Sequence, residues 1–168
     1  MKLSEYNTSE CIFIDANIFL DYSLPNPRYG ESAAVFLEKI ELSEIKAVTT
    51  PIVLDEVSFI ILMQKGSLLL KTQDRKVIIK SIKNDRNFSN LCYETVEEFN
   101  DFIECLKGLK IVSVNFKDYK QASELGKKYL LLPSDALHAS VMENNKIQNI
   151  ATRDGDFERI EGITVWKP

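Results

Sequence analysis

Cys11-Ile12-Phe13-Ile14-Asp15-Ala16-Asn17 is the stretch on which the fold turns. Its apolar run shows no polar alternation, which fits a strand buried on both faces, and Asp15 ends it with a charge. Helical spacing comes next. Ala33, Phe36, Leu37 and Ile40 recur at three and four, so a helix is predicted over Glu31 to Leu42, after the Pro25-Asn26-Pro27 turn. Lys46 to Thr49 reads as a second short strand. Thr50-Pro51 then gives an N-cap and a first-turn proline, opening a helix that is expected to run to about Gln64, before Gly66. Two more helical stretches follow, about Lys71 to Lys83 and Val96 to Lys107. Lys110 to Val114 reads as a strand, Tyr119 to Tyr129 as a helix, and Ser134 to Asn144 as a helix capped by Ser134 after Pro133. Ile147 to Thr152 and Gly162 to Trp166 complete about five strands. Strands alternating with helices predict an α/β fold in three layers, with a mostly parallel central sheet flanked by helices.

Composition narrows the class. The 168 residues, 45% hydrophobic and 27% charged, suit one domain spanning 1–168. Twenty-one Lys and Arg against 25 Asp and Glu leave a net charge of -4, so no global positive field draws the chain onto nucleic acid. Any such partner must be gripped locally. Cys11, Cys92 and Cys105 form no C-x-x-C pair and sit in apolar patterns, reading as reduced core thiols of a cytoplasmic protein. The longest uncharged apolar stretch, Val57 to Met63, is far short of the roughly 18 residues a membrane span needs, and Met1 to Glu10 has no apolar leader core.

In parallel sheets ligands gather beyond the carboxyl ends of the strands. Asp15 closes the first strand, and Asp154 follows the fourth within Thr152-Arg153-Asp154-Gly155-Asp156-Phe157. Either alone also suits an ordinary turn. Glu56 is harder to dismiss: one helical turn away stand Ile52, Phe59, Ile60 and Met63, so it falls inside an apolar stripe, whereas Asp55 points elsewhere beside Ser58. A buried carboxylate requires a compensating cation, either a buried arginine or a metal ion. Asp135 repeats the pattern, with His138, Ala139 and Met142 along its helix face, although a first-turn Asp also favours the helix dipole. Four acids converging without a His or Cys ligand set point to a hard ion, Mg²⁺ or Mn²⁺, rather than zinc.

These residues resemble the PIN-domain nucleases, and among them the VapC-type toxins of prokaryotic toxin–antitoxin pairs. Phe13 to Asp21 is similar to that family's strand-ending D-x-N motif, Glu56 to its helical glutamate, Ser134-Asp135-Ala136-Leu137-His138-Ala139 to its third acidic motif, and Thr152 to Phe157 to its closing T-x-D-x-D-F. The order matches along essentially the whole chain. The departure is an extra helical pair between residues 65 and 107. Lys65, Lys71, Arg75, Lys76, Lys80, Lys83 and Arg86 stand there against Asp74 and Asp85, a local charge of +5. Residues 87–106 carry five acids and no Lys or Arg. The two helices either attract each other through solvated faces or use the basic one to grip a phosphate backbone.

The resemblance implies a Mg²⁺- or Mn²⁺-dependent endoribonuclease that leaves 5′-phosphate and 3′-hydroxyl ends. Asp15, Asp135 and Asp154 would hold the metal, with Glu56 as a further ligand or as the group that orients and deprotonates water, and Asp156 as a weaker candidate. Asn17, Thr152 and Ser134 would orient the carboxylates. Arg75, Lys76, Lys80, Lys83 and Arg153 are candidate substrate contacts, Arg153 more simply a solvated side chain. His138 reads as a packed neighbour rather than a ligand, since nothing marks a nucleophile elbow. The resemblance also implies an RNA substrate, a small antitoxin covering the acids, and a homodimer. Ile18, Phe19, Leu20, Phe36 and Leu37 would serve either as interface or as core. Competing readings are an RNA-processing enzyme, a structure-specific DNA nuclease and a silent scaffold with a decayed site. A phosphate-receiving domain leaves Glu56 and Asp135 unexplained, and a haloacid-type phosphatase needs an aspartate where Asn17 stands.

Overall fold

The computed structural model describes residues 1–168. Five three-residue strands, β1 (Ile12–Ile14), β2 (Ala47–Thr49), β3 (Leu109–Ile111), β4 (Asn149–Ala151) and β5 (Thr164–Trp166), form one sheet in the order β3-β2-β1-β4-β5. Every pairing is parallel. The central β1 is the apolar run that opened the sequence, and Ile12, Phe13 and Ile14 are fully buried. From β1 the chain winds outward to β2 and β3, then crosses back to β4 and β5. The winding direction therefore changes between β1 and β4, and the loops leaving these neighbours part to form a crevice at their carboxyl ends.

Seven helices flank the sheet: α1 (Ala16–Ser23), α2 (Gly30–Glu41), α3 (Pro51–Leu70), α4 (Arg75–Asn84), α5 (Arg86–Cys105), α6 (Phe116–Tyr129) and α7 (Pro133–Asn144). One cluster of 35 buried hydrophobic residues runs from Leu3 to Trp166. At about 25 cal/mol per Å² of apolar surface, burial of this kind is the main force holding the layers together. Ile18, Phe19, Phe36 and Leu37 are buried in that core, and the partly buried Leu20 packs against it. No helix is long and apolar enough to cross a membrane.

Several boundaries differ from the sequence reading, each for a physical reason. The α1 helix starts immediately after β1, because Asp15 caps it by accepting from the Ala16 N–H. The α3 helix runs through Gly66 to Leu70 rather than stopping at Gln64. Gly66 is there for contact: a Cβ on it would stand 2.6 Å from Ile78 Cγ2 of α4. The α5 helix begins at Arg86, ten residues ahead of Val96, capped by Asp85. Leu132 occupies the N-cap of α7 with no side-chain bond, so Ser134 is a first-turn residue and not the cap. Only Cys92 is buried; Cys11 is half-buried and Cys105 exposed, so three core thiols is a reading the structure corrects.

Candidate active site

Asp15 stands at the crevice with both carboxylate oxygens engaged. Oδ1 accepts from the Ala16 N–H at 2.7 Å, and Oδ2 accepts from the Asn17 amide and from the Thr152 hydroxyl, the latter at 2.6 Å. Thr152 directly follows β4, fully buried, and its hydroxyl oxygen also accepts the Asp154 N–H at 3.0 Å. Asn17 closes the circuit: its Nδ2 donates to Thr152 Oγ1 at 2.8 Å, while its Oδ1 accepts the Arg153 N–H at 2.9 Å. Residues 135 positions apart in sequence thus lock the two strand ends together. Asp154 continues the turn by accepting the Asp156 N–H at 2.8 Å, and the buried Phe157 anchors it.

The remaining acids come from α7 and α3. Asp135, in the first turn of α7, offers a carboxylate oxygen that lies with those of Asp154 and Asp156 inside a mutual 4.8 Å. Burial together with the charges of Asp154, Asp15, Asp156 and Glu56 pushes the Asp135 carboxyl up to about 6. Partial desolvation by the surrounding protein, and then the charge of Asp15, also raises Glu56 above the usual carboxylate range. The structure therefore brings Asp135, Asp154 and Asp156 together, with Asp15 and Glu56 near enough for their charges to act on Asp135.

It places Glu56 differently, however. The buried stripe of α3 is Val53, Val57 and Ile61, one residue removed from the stripe inferred around Glu56. Glu56 is itself exposed, on a face with half-buried Ile52, Ile60 and Met63. No arginine compensates it: none of the chain's four ion pairs includes Asp15, Glu56, Asp135 or Asp154. Asp135, Asp154 and Asp156 each offer a carboxylate oxygen, the donor type that could hold a hard divalent ion, and the raised Asp135 carboxyl reflects burial and the like charges around it.

Two arginines beside the crevice are paired, one of them to the rim of the acid group itself. Arg159 Nη2 lies 2.8 Å from Asp156 Oδ1. Arg153 is not simply solvated; its Nε lies 2.9 Å from Asp21 Oδ2, and its guanidinium stands over the Tyr29 ring. Asp21 is buried, and burial raises its carboxyl above the ordinary range against the opposing pull of Arg153 and Asn26. Sequence reasoning passed over both Asp21 and Arg159. Asp156 and Arg159, three apart in a helical turn, are a detectable pair; Asp21 and Arg153 meet only through the tertiary fold. His138 is buried against Phe13, with ring centroids 5.5 Å apart, and burial lowers its pKa, so it sits neutral beneath the acids. Ser134 is exposed and joins no carboxylate. Arg75, Lys76, Lys80 and Lys83 are all exposed on α4, and no ion pair links this basic helix to the acids of α5.

The sequence pattern of the PIN domain matches residues 12–163. The ribonuclease VapC6 of Methanocaldococcus jannaschii is 30% identical over 154 residues, which cover 90% of this chain and 97% of that protein. Among solved structures, VapBC2 of Rickettsia felis bound to a DNA fragment from their promoter superposes with a TM-score of 0.58 at 15% identity, covering 94% of this chain and 98% of the other. A toxin–antitoxin complex from Klebsiella pneumoniae superposes with a TM-score of 0.52 at 16% identity, covering 91% and 95%. With the pattern matched over nearly the whole length and a VapC ribonuclease 30% identical over 90% of the chain, the chain belongs to the PIN-domain family, in the group of the VapC ribonucleases.

Proposed function

We propose that this protein is a Mg²⁺- or Mn²⁺-dependent endoribonuclease acting as the toxin of a toxin–antitoxin pair, its 168 residues working as one domain in the cytoplasm. The observation that carries the reading is the crowding of Asp15, Glu56, Asp135, Asp154 and Asp156 without a cationic side chain on four of them. Asp15, Asp135 and Asp154 would hold the ion, with Asp156 and Glu56 as further oxygen donors. When bound, the ion supplies the charge that offsets the scissile phosphate and lowers the pKa of an attacking water. The chain's own residues do the rest. Thr152 and Asn17 fix the Asp15 carboxylate by hydrogen bonds, so its geometry is set before substrate arrives. Glu56, exposed and with its proton affinity raised, would either donate an oxygen to the ion or orient the attacking water and take its proton. His138, neutral and buried, supports α7 beneath Asp135.

The ribonuclease name of its relative supports RNA as substrate, and the toxin–antitoxin complex among its structural neighbours supports a small protein inhibitor. Exposed Phe116, Tyr119, Leu130 and Leu132 supply an apolar surface for self-association as a homodimer. The function is tested by incubating purified protein with end-labelled structured RNA in Mg²⁺ or Mn²⁺, with EDTA and Asp135→Asn as controls. Metal-dependent cutting that Asp135→Asn abolishes while the protein stays folded is the expected result. Equal cutting by both proteins would mark a contaminant, and an uncut panel of RNAs would sink the proposal.

A further inference from the structure

Next to the acid cleft, α3 and α4 meet through a pair of side chains that the hydrolysis does not use. Phe59 follows Glu56 by three residues on α3, which puts their Cβ atoms about 5–6 Å apart on neighbouring positions of one helix face. Its ring is 41% exposed. The Arg75 guanidinium, at the first position of α4, stands over that ring 5.6 Å from its centroid. Arg75 enters no ion pair, and neither do Lys76, Lys80 and Lys83, which follow at spacings of four and three along one exposed face. The adjacent Asp74 is spent on the helix cap, accepting from the Lys76 and Val77 N–H groups. Elsewhere around the cleft the arginines are committed: Arg153 to Asp21 and Arg159 to Asp156.

Charge decides what this surface fits. A chain of net charge -4 with five acidic site residues repels a polyanion, so attraction must come from unpaired cations; Arg75, held over Phe59 one turn from Glu56, is one, and Lys76, Lys80 and Lys83 extend from it along α4. A partly exposed aromatic ring with an arginine plane over it is a platform on which an unpaired base can stack while the guanidinium meets its phosphate. Resting on the nuclease reading above, we infer that Phe59 and Arg75 form a nucleotide subsite beside the scissile bond. Phe59 stacks a base of single-stranded RNA flanking the cut, and Arg75 with Lys76, Lys80 and Lys83 tracks the backbone leading away from it. The extra helical pair is then the element that sets where the enzyme cuts.

Steady-state cleavage by the full chain tests this, alongside binding of a short single-stranded RNA carrying 2-aminopurine, measured with Ca²⁺ in place of Mg²⁺. Phe59→Ala is expected to raise KM about tenfold with kcat within about twofold, and Phe59→Tyr to restore it, because a stacked base loses that much affinity without its aromatic partner. The fluorescence of 2-aminopurine at the stacked position is quenched by wild type and Phe59→Tyr but not by Phe59→Ala. Arg75→Ala lowers the salt dependence of binding by about one unit in log–log slope. Wild-type KM and quenching in a folded Phe59→Ala protein would overturn the subsite and leave the nuclease standing. So would a loss in Phe59→Ala of affinity for a protein partner alone, with RNA untouched. Quenching that follows Phe59 in a wild type that cuts no RNA would keep the subsite and remove the nuclease.

Discussion

The crevice between β1 and β4 and the excursion through α4 carry opposite charges and are built in opposite ways. In the crevice, Thr152 is fully buried and the oxygens of Asp15 are tied to partners drawn from two distant parts of the chain. On α4 only Ile78 is buried, and the basic side chains are exposed without an ionic partner. The acids are pre-arranged at a cost in repulsion, while the cations are left free to adapt. Rigid anionic geometry suits chemistry that needs atoms in fixed places. An exposed cationic stripe suits a backbone whose sequence varies.

Breaking the crevice should have the largest effect. Asp135→Asn is expected to lower RNA cleavage by about a thousandfold, the scale seen when a group that stabilises developing charge is removed. Its stability should move the other way. Because the Asp135 carboxyl titrates near 6 in the folded protein against an ordinary 3.8, the native state binds that proton more tightly than the unfolded chain. Its favourable contribution is complete below about pH 4 and lost as pH rises through about 6. Without metal, wild type should therefore fall behind Asp135→Asn by about 1–2 kcal/mol above pH 6, after allowance for solvent screening of a half-exposed group. Thermal melts in EDTA across this range check the sign; parallel curves for the two proteins would show that the repulsion is absent.

Thr152→Val probes the same region at its hinge. The swap removes a donor to Asp15 and the acceptor of the Asp154 N–H in a fully buried place, at an expected cost of about 1–3 kcal/mol. Loss of such an orienting bond should also reduce metal affinity or activity about 10–100-fold, read by Mn²⁺ titration and cleavage rate.

Gly66→Ala sharpens the comparison at the root of the excursion. The new Cβ meets Ile78 Cγ2 at 2.6 Å, so α4 must shift on α3, at a cost of about 1–3 kcal/mol partly offset by the helix preference of alanine. Chemical denaturation measures it, and a stabilised variant would mean the α3–α4 contact is looser than described. The smallest effect belongs to the stripe: Lys80→Gln should leave stability within about 0.5 kcal/mol while lowering the salt slope of RNA binding by about one.

The same contrast explains what was legible in the sequence. The β1 strand and Asp15 were readable because an unalternating apolar run ended by a charge has few other uses. The Thr152–Phe157 turn and Asp135 were readable because local motifs put them at a strand end and a helix start. Glu56 was found but its surroundings were misjudged: α3 is apolar nearly all round, so residue spacing could not tell Val53, Val57 and Ile61 from Ile52, Ile60 and Met63 as its buried stripe. The start of α5 was missed because its first buried residue is Cys92, six residues in, leaving a polar opening turn without periodicity. Arg153 and Asp21 were beyond reach for another reason. Neither is unusual in its own segment, and only the closing of β4 against β1 brings them within 2.9 Å.

The central claim is that the five acids are held together for a divalent cation. Mn²⁺ binding to the purified chain, followed by electron paramagnetic resonance and by the rise in melting temperature, tests it most directly. Saturable binding that raises the melting temperature of wild type and is lost in Asp135→Asn is the result this account predicts. A wild type that neither binds Mn²⁺ nor gains stability from it, or an Asp135→Asn variant that binds equally well, would contradict it.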